Sequence, residues 1–266
     1  MHMIDVNGVT LHYSDQGPKD GPPLVFANSL GTDYRLWDQI MPMLPDGLRI
    51  IRYDKRGHGL SSGPAAPYFM GDLVGDLAAL MDALGLKNSV LVGLSIGGMI
   101  AQGLAAERPD LLKAMILSNT GAKIGTEAIW ADRMATARNG GVEALADAQL
   151  ARWFSDDFRK NRKPELAAWR AMLTRTWIEG FIGCSAAISE TDLYDSTARL
   201  RLPVLGIAGD EDGSTPPDMV REAVELVPGS EFHLIRGAGH LPCVENPEEY
   251  ATTLIGFLHK VGHLKG

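Results

Sequence analysis

Short apolar runs alternate with longer segments of helical spacing along most of this chain. Runs rich in valine, isoleucine and leucine, typical of strands buried on both faces of a sheet, cover residues 24–27, 48–53, 89–94, 114–118, 203–208 and 231–235. Apolar residues at helical spacing cover residues 70–84, 219–227 and 247–260, and a further helical pattern follows the run at 89–94. This alternation predicts right-handed βαβ units, a mostly parallel sheet and helices that flank it.

Two segments in the first fifty residues differ from this alternation. Residues 4–14 alternate between apolar and polar positions around an Asn-Gly pair, which predicts a hairpin of two antiparallel edge strands. After the run at 24–27, Trp37, Ile40 and Met41 share one helical face, so the spacing predicts a helix there.

The alternation stops between residues 121 and 202, where helical patterns continue without a convincing strand. This segment also contains four of the five tryptophans: Trp130, Trp153, Trp169 and Trp177. We interpret it as a helical insertion that folds over the carboxyl edge of the sheet. The predicted organisation is a core domain of residues 1–120 and 203–266 with a helical cap, or lid, of residues 121–202.

The apolar run at 89–94 passes into a helical pattern through a Gly-x-Ser-x-Gly turn at residues 93–97. In a nucleophile elbow this turn holds a serine on a sharp strand-to-helix bend. A Cβ at Gly93 or Gly97 would collide with neighbouring backbone where the chain reverses, which explains both glycines. The pattern alone is also compatible with a glycine-rich surface turn, but its position between a buried strand and a helix makes Ser95 the candidate nucleophile.

A serine nucleophile needs an adjacent base that is oriented by a carboxylate. In open α/β sheets such residues follow the carboxyl ends of strands. Of seven histidines, His240 directly follows the run at 231–235, and is the candidate base; His58 also follows a strand but lies in a glycine-rich turn. Three carboxylates follow the run at 203–208, and the spacing leaves all three open: Asp210, Glu211 and Asp212.

The amino-acid composition and the net charge limit which kinds of partner the protein is expected to bind. The 266 residues are 45% hydrophobic, and their net charge of −8 argues against binding to nucleic acid or to a membrane surface. The two cysteines, Cys184 and Cys243, have neither disulfide-framework nor metal-ligand spacing, so we expect no metal and a reduced, cytoplasmic setting. We find no dinucleotide-binding or P-loop motif, and we expect no signal peptide and no membrane-spanning stretch. The chain is compatible with a homo-oligomer.

Residues 209–216 carry a Gly-x-x-Asp-x-x-Thr-Pro pattern, and with the turn at 93–97 they make the chain resemble the α/β-hydrolases. The resemblance implies an α/β fold with a mostly parallel eight-stranded sheet and a helical cap. It assigns the acid to Asp212, with Asp210 as the runner-up, and the order Ser95, Asp212, His240 matches this fold. It also implies that the backbone N–H groups of Leu30 and Ile96 form the oxyanion hole.

The turn at residues 54–61 resembles the family's Asp-x-Arg-Gly-x-Gly-x-Ser turn. We interpret it as structural, with its aspartate and arginine holding loops in place.

Four segments, residues 28–33 with Trp37, 93–99, 119–125 and 184–188, resemble 3-oxoadipate enol-lactonases of aromatic-compound breakdown. This implies opening of a small carboxylate-bearing lactone through an acyl-serine intermediate, without a cofactor. Because the substrate carries a carboxylate, a cap arginine is expected near it. The candidates for substrate binding are Trp130, Arg133 and Trp153, with Arg152 beside them; each is also compatible with an ordinary place in the cap core or on a solvated helix face.

Two other functions remain open at this point. The same scaffold also serves carboxylesterases, other lactonases and carbon–carbon bond hydrolases. A function of another class is a hydrolase-fold receptor or signalling protein, which would bind a small ligand and turn it over far below the median enzyme rate of about 10 per second.

Overall fold

A single eight-stranded sheet forms the centre of the computed structural model, which describes residues 1–264. The strands are β1 His2–Val6, β2 Val9–Gln16, β3 Pro23–Ala27, β4 Arg49–Tyr53, β5 Ser89–Leu94, β6 Leu112–Ser118, β7 Val204–Gly209 and β8 Glu231–Ile235. Their spatial order is β1-β2-β4-β3-β5-β6-β7-β8, and only the β1–β2 and β2–β4 pairs are antiparallel. The predicted sheet is therefore confirmed.

Helices connect these strands. They are α1 Met70–Ala83, α2 Ile96–Glu107, α3 Glu127–Gly140, α4 Ala146–Trp153, α5 Asp156–Asn161, α6 Lys163–Thr174, α7 Ile178–Glu190, α8 Tyr194–Thr197, α9 Pro217–Glu225, α10 Pro242–Glu245 and α11 Pro247–Lys260. Helix α2 packs on β3, β5 and β6, and α9 packs on β7 and β8. The core helices predicted at residues 70–84, after the run at 89–94, at 219–227 and at 247–260 are confirmed to within a few residues, whereas the sequence did not indicate α10.

The structure corrects two local predictions. The segment containing Trp37 and Ile40 is not one helix but two short 3₁₀ helices, Tyr34–Trp37 and Met41–Met43. Pro42 lacks the N–H that a continuous helix would need there. The hairpin forms as predicted, but β2 is not an edge strand because it pairs with both β1 and β4.

Between β6 and β7 the described chain contains helices α3–α8, together with the 3₁₀ helix Val142–Leu145, and no strand. We call residues 121–202 the helical insertion. Its own packing includes contacts between α3 and α7 and between α4 and α6. Three of its tryptophans are buried, and Trp177 is 46% exposed. The insertion contacts the core closely: the Trp153 carbonyl accepts a hydrogen bond from the His240 N–H at 2.8 Å.

Strand register brings the carboxyl ends of the central strands to one edge of the sheet. Ala27 of β3 pairs with Gly93, and Leu94 of β5 pairs with Ser118. On the other side of β6 the pairing continues through β7, where Gly209 pairs with Ile235 of β8. The loops after these strands therefore meet, and every candidate catalytic residue lies in one of them.

The turn after β5 depends on glycines at both flanks of Ser95. A Cβ on Gly93 would lie 2.2 Å from the Gly97 carbonyl oxygen, and a Cβ on Gly97 would lie 2.1 Å from the Ala27 carbonyl oxygen. Both obstacles are backbone atoms of buried elements, which cannot rotate away as a side chain could. The predicted steric reason for the two glycines is confirmed.

We expect Gly97→Ala to lower the free energy of unfolding by about 3 kcal/mol, because its Cβ would push β3 and α2 apart. Gly256→Ala is the matched control: Gly256 is exposed in α11 and a Cβ there meets no atom within 4 Å. The control should raise stability by about 0.5–1 kcal/mol, since alanine is the better helix former. Urea unfolding of both variants checks this, and equal effects would contradict the steric explanation.

Candidate active site

Ser95 has a strained backbone. Its φ of 60° and ψ of −120° lie outside the left-handed helical region, and the other described non-glycine residues with positive φ are all asparagines, which tolerate such angles. Backbone strain persists only where the surroundings fix it. Here the Ser95 N–H donates to the Ser118 carbonyl at 3.0 Å, and the Thr120 hydroxyl donates to the Ser95 carbonyl at 2.7 Å. The predicted nucleophile therefore lies at a rigid turn, at the start of α2.

The structure brings Asp212, rather than its neighbours, to His240. Asp212 Oδ2 lies 2.8 Å from His240 Nδ1, and both side chains are buried. Asp210 is exposed and accepts a hydrogen bond from the Gly237 N–H at 2.7 Å instead, while Glu211 is also exposed. Of the three carboxylates that the sequence left open, Asp212 alone contacts the histidine.

Two polar residues that sequence reasoning missed complete the surroundings of Asp212. Its Oδ2 also accepts hydrogen bonds from Asn119 Nδ2 at 2.9 Å and Thr215 Oγ1 at 2.7 Å, and its Oδ1 accepts from the Ser214 and Thr215 N–H groups. Burial alone would raise the pKa of Asp212, but His240 and these donors outweigh it and hold the pKa below its usual value. The carboxylate is therefore ionised near neutral pH. Asn119 could have been found because it follows β6, the strand beside β5.

A second buried carboxylate fixes the loop before His240. Glu245 Oε1 accepts from the Gly239 N–H at 2.7 Å, and its Oε2 accepts from the Ser155 hydroxyl at 2.5 Å and the Ser155 N–H at 3.1 Å. Burial raises the pKa of Glu245 despite these hydrogen bonds, which lower it. Because Ser155 belongs to the helical insertion, Glu245 ties the insertion to the histidine loop.

The remaining nitrogen of His240 faces the loop after β3. Nε2 lies 3.5 Å from Ser29 Oγ, at the long limit of a hydrogen bond. Within residues 1–264, Ser95 Oγ makes no hydrogen bond, so the structure does not join the predicted nucleophile directly to the predicted base. Catalytic hydrogen bonds of unliganded enzymes are often long and shorten only when substrate binds. Proton transfer from Ser95 to His240 therefore stays a prediction.

The two predicted oxyanion donors are backbone N–H groups of buried residues. Neither the Leu30 nor the Ile96 N–H has an acceptor among the residues that the structure describes. Buried N–H groups without partners are rare in folded proteins. At Ile96 the free N–H follows from its place as the first residue of α2, where no intrahelical acceptor exists.

Two arginines of the helical insertion form a half-buried positive region. The Arg133 guanidinium lies 4.7 Å from the centre of the Trp130 ring, and the Arg152 carbonyl accepts from the Gly213 N–H next to Asp212. In the described part of the chain neither arginine has a carboxylate within 4.0 Å. Burial, and then the charge of Arg152, lower the pKa of Arg133 to about 10. Both groups are still charged at neutral pH and could bind an anion.

Trp130 and Trp153 themselves are buried in this region. The Trp130 indole N–H donates to the Ile124 carbonyl at 2.6 Å. The far edge of the Trp153 ring lies 3.6 Å from where a Cβ on Gly31 would be, which places this ring against the loop after β3.

Neither a metal centre nor a membrane span is found in the described chain. Residues 1–264 contain no cluster of three histidine, cysteine or acidic side chains able to hold a metal ion. No helix in the same range has both the length and the apolar composition needed to cross a membrane.

The ionised state of Asp212 predicts a specific dependence of stability on pH. Because its folded-state pKa is depressed, its contribution is present above the unfolded-state pKa of about 3.9 and is lost as pH falls through the folded value. The difference in free energy of unfolding between wild type and Asp212→Asn should therefore shrink as pH falls from about 6 to about 3. Urea titrations across that range check this, and a difference that grows toward acid would contradict it.

Comparison with known proteins places the chain in a family. A family model for the alpha/beta hydrolase fold matches residues 22–247. The chain is 34% identical to 3-oxoadipate enol-lactonase 2 of Acinetobacter baylyi, over 93% of this chain and 92% of that protein. It is 28% identical to a non-heme chloroperoxidase of Streptomyces lividans, over 95% of this chain and 97% of that protein.

A solved structure agrees with these sequence matches. The crystal structure of the enol-lactonase from Burkholderia xenovorans LB400 aligns with a TM-score of 0.94 at 35% identity, covering 97% of this chain and 100% of that one. The family match runs from the start of β3 to the start of α11, and so includes the loops that carry Ser95, Asp212 and His240. This chain belongs to the α/β-hydrolase fold family.

Proposed function

We propose that the protein opens a small carboxylate-bearing lactone, 3-oxoadipate enol-lactone, through an acyl-serine intermediate and without a cofactor. Membership of the family and the enol-lactonase relatives make it a hydrolase of ester or lactone type. The observation that carries the proposal for the site is the buried Asp212–His240 pair at the sheet edge where Ser95 lies. The half-buried arginines support a substrate with a carboxylate.

In the proposed first step, Ser95 Oγ attacks the lactone carbonyl while His240 Nε2 takes its proton. The Asp212 carboxylate holds the proton on Nδ1 and stabilises the imidazolium that forms. The carbonyl oxygen becomes an oxyanion and accepts hydrogen bonds from the Leu30 and Ile96 N–H groups. The carbon–oxygen bond of the ring breaks, and the leaving enolate is delocalised, so it needs little help from an acid to leave. The enolate then takes the proton from the His240 imidazolium, which returns His240 to its neutral form.

In the second step, His240 takes a proton from water, and the resulting nucleophile attacks the acyl-serine. The intermediate collapses, Ser95 recovers its proton from His240, and 3-oxoadipate leaves. Throughout, Arg133 and Arg152 bind the free carboxylate of the substrate, with the Trp130 ring holding the Arg133 guanidinium in position. Trp153 forms an apolar wall beside the loop of Leu30.

One prediction of this mechanism concerns the reacting groups. We expect Ser95→Ala to abolish hydrolysis of enol-lactones and of p-nitrophenyl acetate while the protein stays folded. Asp212→Asn should lower kcat by about 10⁴-fold, because the histidine would lose the group that fixes its tautomer. Asp210→Asn is the matched control, since Asp210 lies in the same loop without contacting His240. It should keep near-normal kcat.

A purified-enzyme screen over lactones and esters measures these rates and also tests the substrate. Preference for the enol-lactone supports the proposal, whereas faster turnover of neutral esters would favour a carboxylesterase. A Ser95→Ala variant that retains its rate would overturn the nucleophile assignment. Turnover far below about 10 per second on every compound, with tight ligand binding, would favour a receptor.

Another prediction of this mechanism concerns the substrate carboxylate. Arg133→Met should raise KM for the carboxylate-bearing lactone by about tenfold to a hundredfold, because a hydrogen bond to a charged group contributes about 1.5–3 kcal/mol. KM for neutral p-nitrophenyl acetate should hardly change. Arg138→Met, an exposed position on the same helix α3, is the control and should alter neither value. Equal losses on charged and neutral substrates would exclude Arg133 as the carboxylate-binding group.

A further inference from the structure

The turn at residues 54–61 contains a buried ammonium group that its predicted structural role does not explain. Asp54 and Arg56 do hold loops, as the sequence indicated: Asp54 accepts from the Tyr34 and Leu60 N–H groups, and Arg56 pairs with Asp76 at 2.6 Å. Lys55, between them, is only 2% exposed and has no carboxylate within 4.0 Å in the described chain. A buried charge without a counter-ion is costly, so its contacts need an explanation.

The Lys55 ammonium donates its hydrogen bonds to the loop that follows β3. Nζ lies 2.6 Å from the Ser29 carbonyl oxygen and 3.4 Å from the Thr32 carbonyl oxygen. Burial lowers the pKa of Lys55 to about 8, which leaves the group protonated near neutral pH. The shorter bond goes to a single peptide unit, the one that joins Ser29 to Leu30.

That peptide unit also carries the Leu30 N–H, the proposed oxyanion donor. In a planar trans peptide the C=O and N–H bonds point in opposite directions. The Lys55 ammonium, together with the Thr32 hydroxyl and N–H that donate to the same carbonyl oxygen at 2.9 and 3.3 Å, therefore fixes the direction of the N–H on the other side. It also polarises the amide, because hydrogen bonds in a chain strengthen one another at low dielectric.

The next peptide unit is held by the same turn. His58 Nε2 accepts the Gly31 N–H at 3.0 Å, and burial keeps the pKa of His58 well below its usual value, so this ring is neutral and able to accept. The Gly31 N–H is thus occupied, whereas the Leu30 N–H has no acceptor among residues 1–264. Of these two neighbouring peptide units, one therefore has its N–H occupied and the other leaves the Leu30 N–H free to donate to a substrate oxygen.

We propose that Lys55 is a positioning residue of the oxyanion hole, which orients and polarises the Leu30 N–H through the carbonyl of the Ser29–Leu30 peptide. This inference rests on the proposed serine-hydrolase function but does not depend on which lactone or ester is the substrate. Lys55 acts when negative charge develops on the substrate oxygen, so its loss should affect kcat more than KM.

The test compares Lys55→Met with Arg56→Met on p-nitrophenyl acetate. Lys55→Met should lower kcat by about 10- to 100-fold with KM within about threefold, a smaller loss than the roughly 10²–10³ for removing a whole donor. Arg56→Met removes a buried charge from the same turn without touching residues 29–32, and should keep its kcat per folded molecule. Lys55→Gln, with a neutral donor, should recover part of the lost kcat, and it replaces Lys55→Met if that variant does not fold.

The outcomes separate this inference from the function on which it rests. A wild-type protein that hydrolyses no ester or lactone would overturn the proposed function. An active wild type with unchanged kcat in Lys55→Met would overturn the inference alone, and so would an equal loss of kcat in Arg56→Met. Circular dichroism and thermal unfolding establish the folded fraction of each variant.

Discussion

The candidate site depends on keeping one buried carboxylate ionised. Asp212 is 6% exposed, and desolvation alone would favour its protonated form, which could not stabilise an imidazolium. Donors from three places prevent this: His240 from the loop after β8, Asn119 from the loop after β6, and the residues that follow Asp212 itself. Because these donors come from different strands, they converge only when the sheet has formed in its correct register.

The helical insertion contributes to the same site rather than only covering it. Its Trp153 carbonyl and Ser155 hold the histidine loop, the latter through Glu245, and its Arg133 and Arg152 supply positive charge. The position of His240 and the proposed recognition of a substrate carboxylate thus both depend on residues of this insertion. The turn at residues 54–61 has a corresponding role at the loop after β3, where Lys55 and His58 hold the loop of Leu30.

The features that could be predicted from the sequence are those that follow a local pattern of residues. Apolar runs identified the buried strands, and the Gly-x-Ser-x-Gly turn could be recognised because backbone contacts as close as that between Gly97 and Ala27 exclude any other residue. The prediction of one helix around Trp37 was wrong, because Pro42 interrupts a segment whose apolar spacing suggests a helix. Sequence reasoning also missed Asn119, Glu245 and the contacts of Lys55, because hydrogen bonds between distant loops leave no periodic signal in the sequence.

The central claim is that Ser95 carries the acyl group during turnover. The competing acyl acceptor is Ser29, because its hydroxyl oxygen lies 3.5 Å from His240 Nε2. Rapid acid quenching of the protein during turnover of p-nitrophenyl acetate, followed by peptide mass spectrometry, locates the acyl group directly. An acetyl group on the peptide containing Ser95, and none on that containing Ser29, is the predicted result. Acetylation of Ser29, or full turnover without any acyl-protein, would contradict the account.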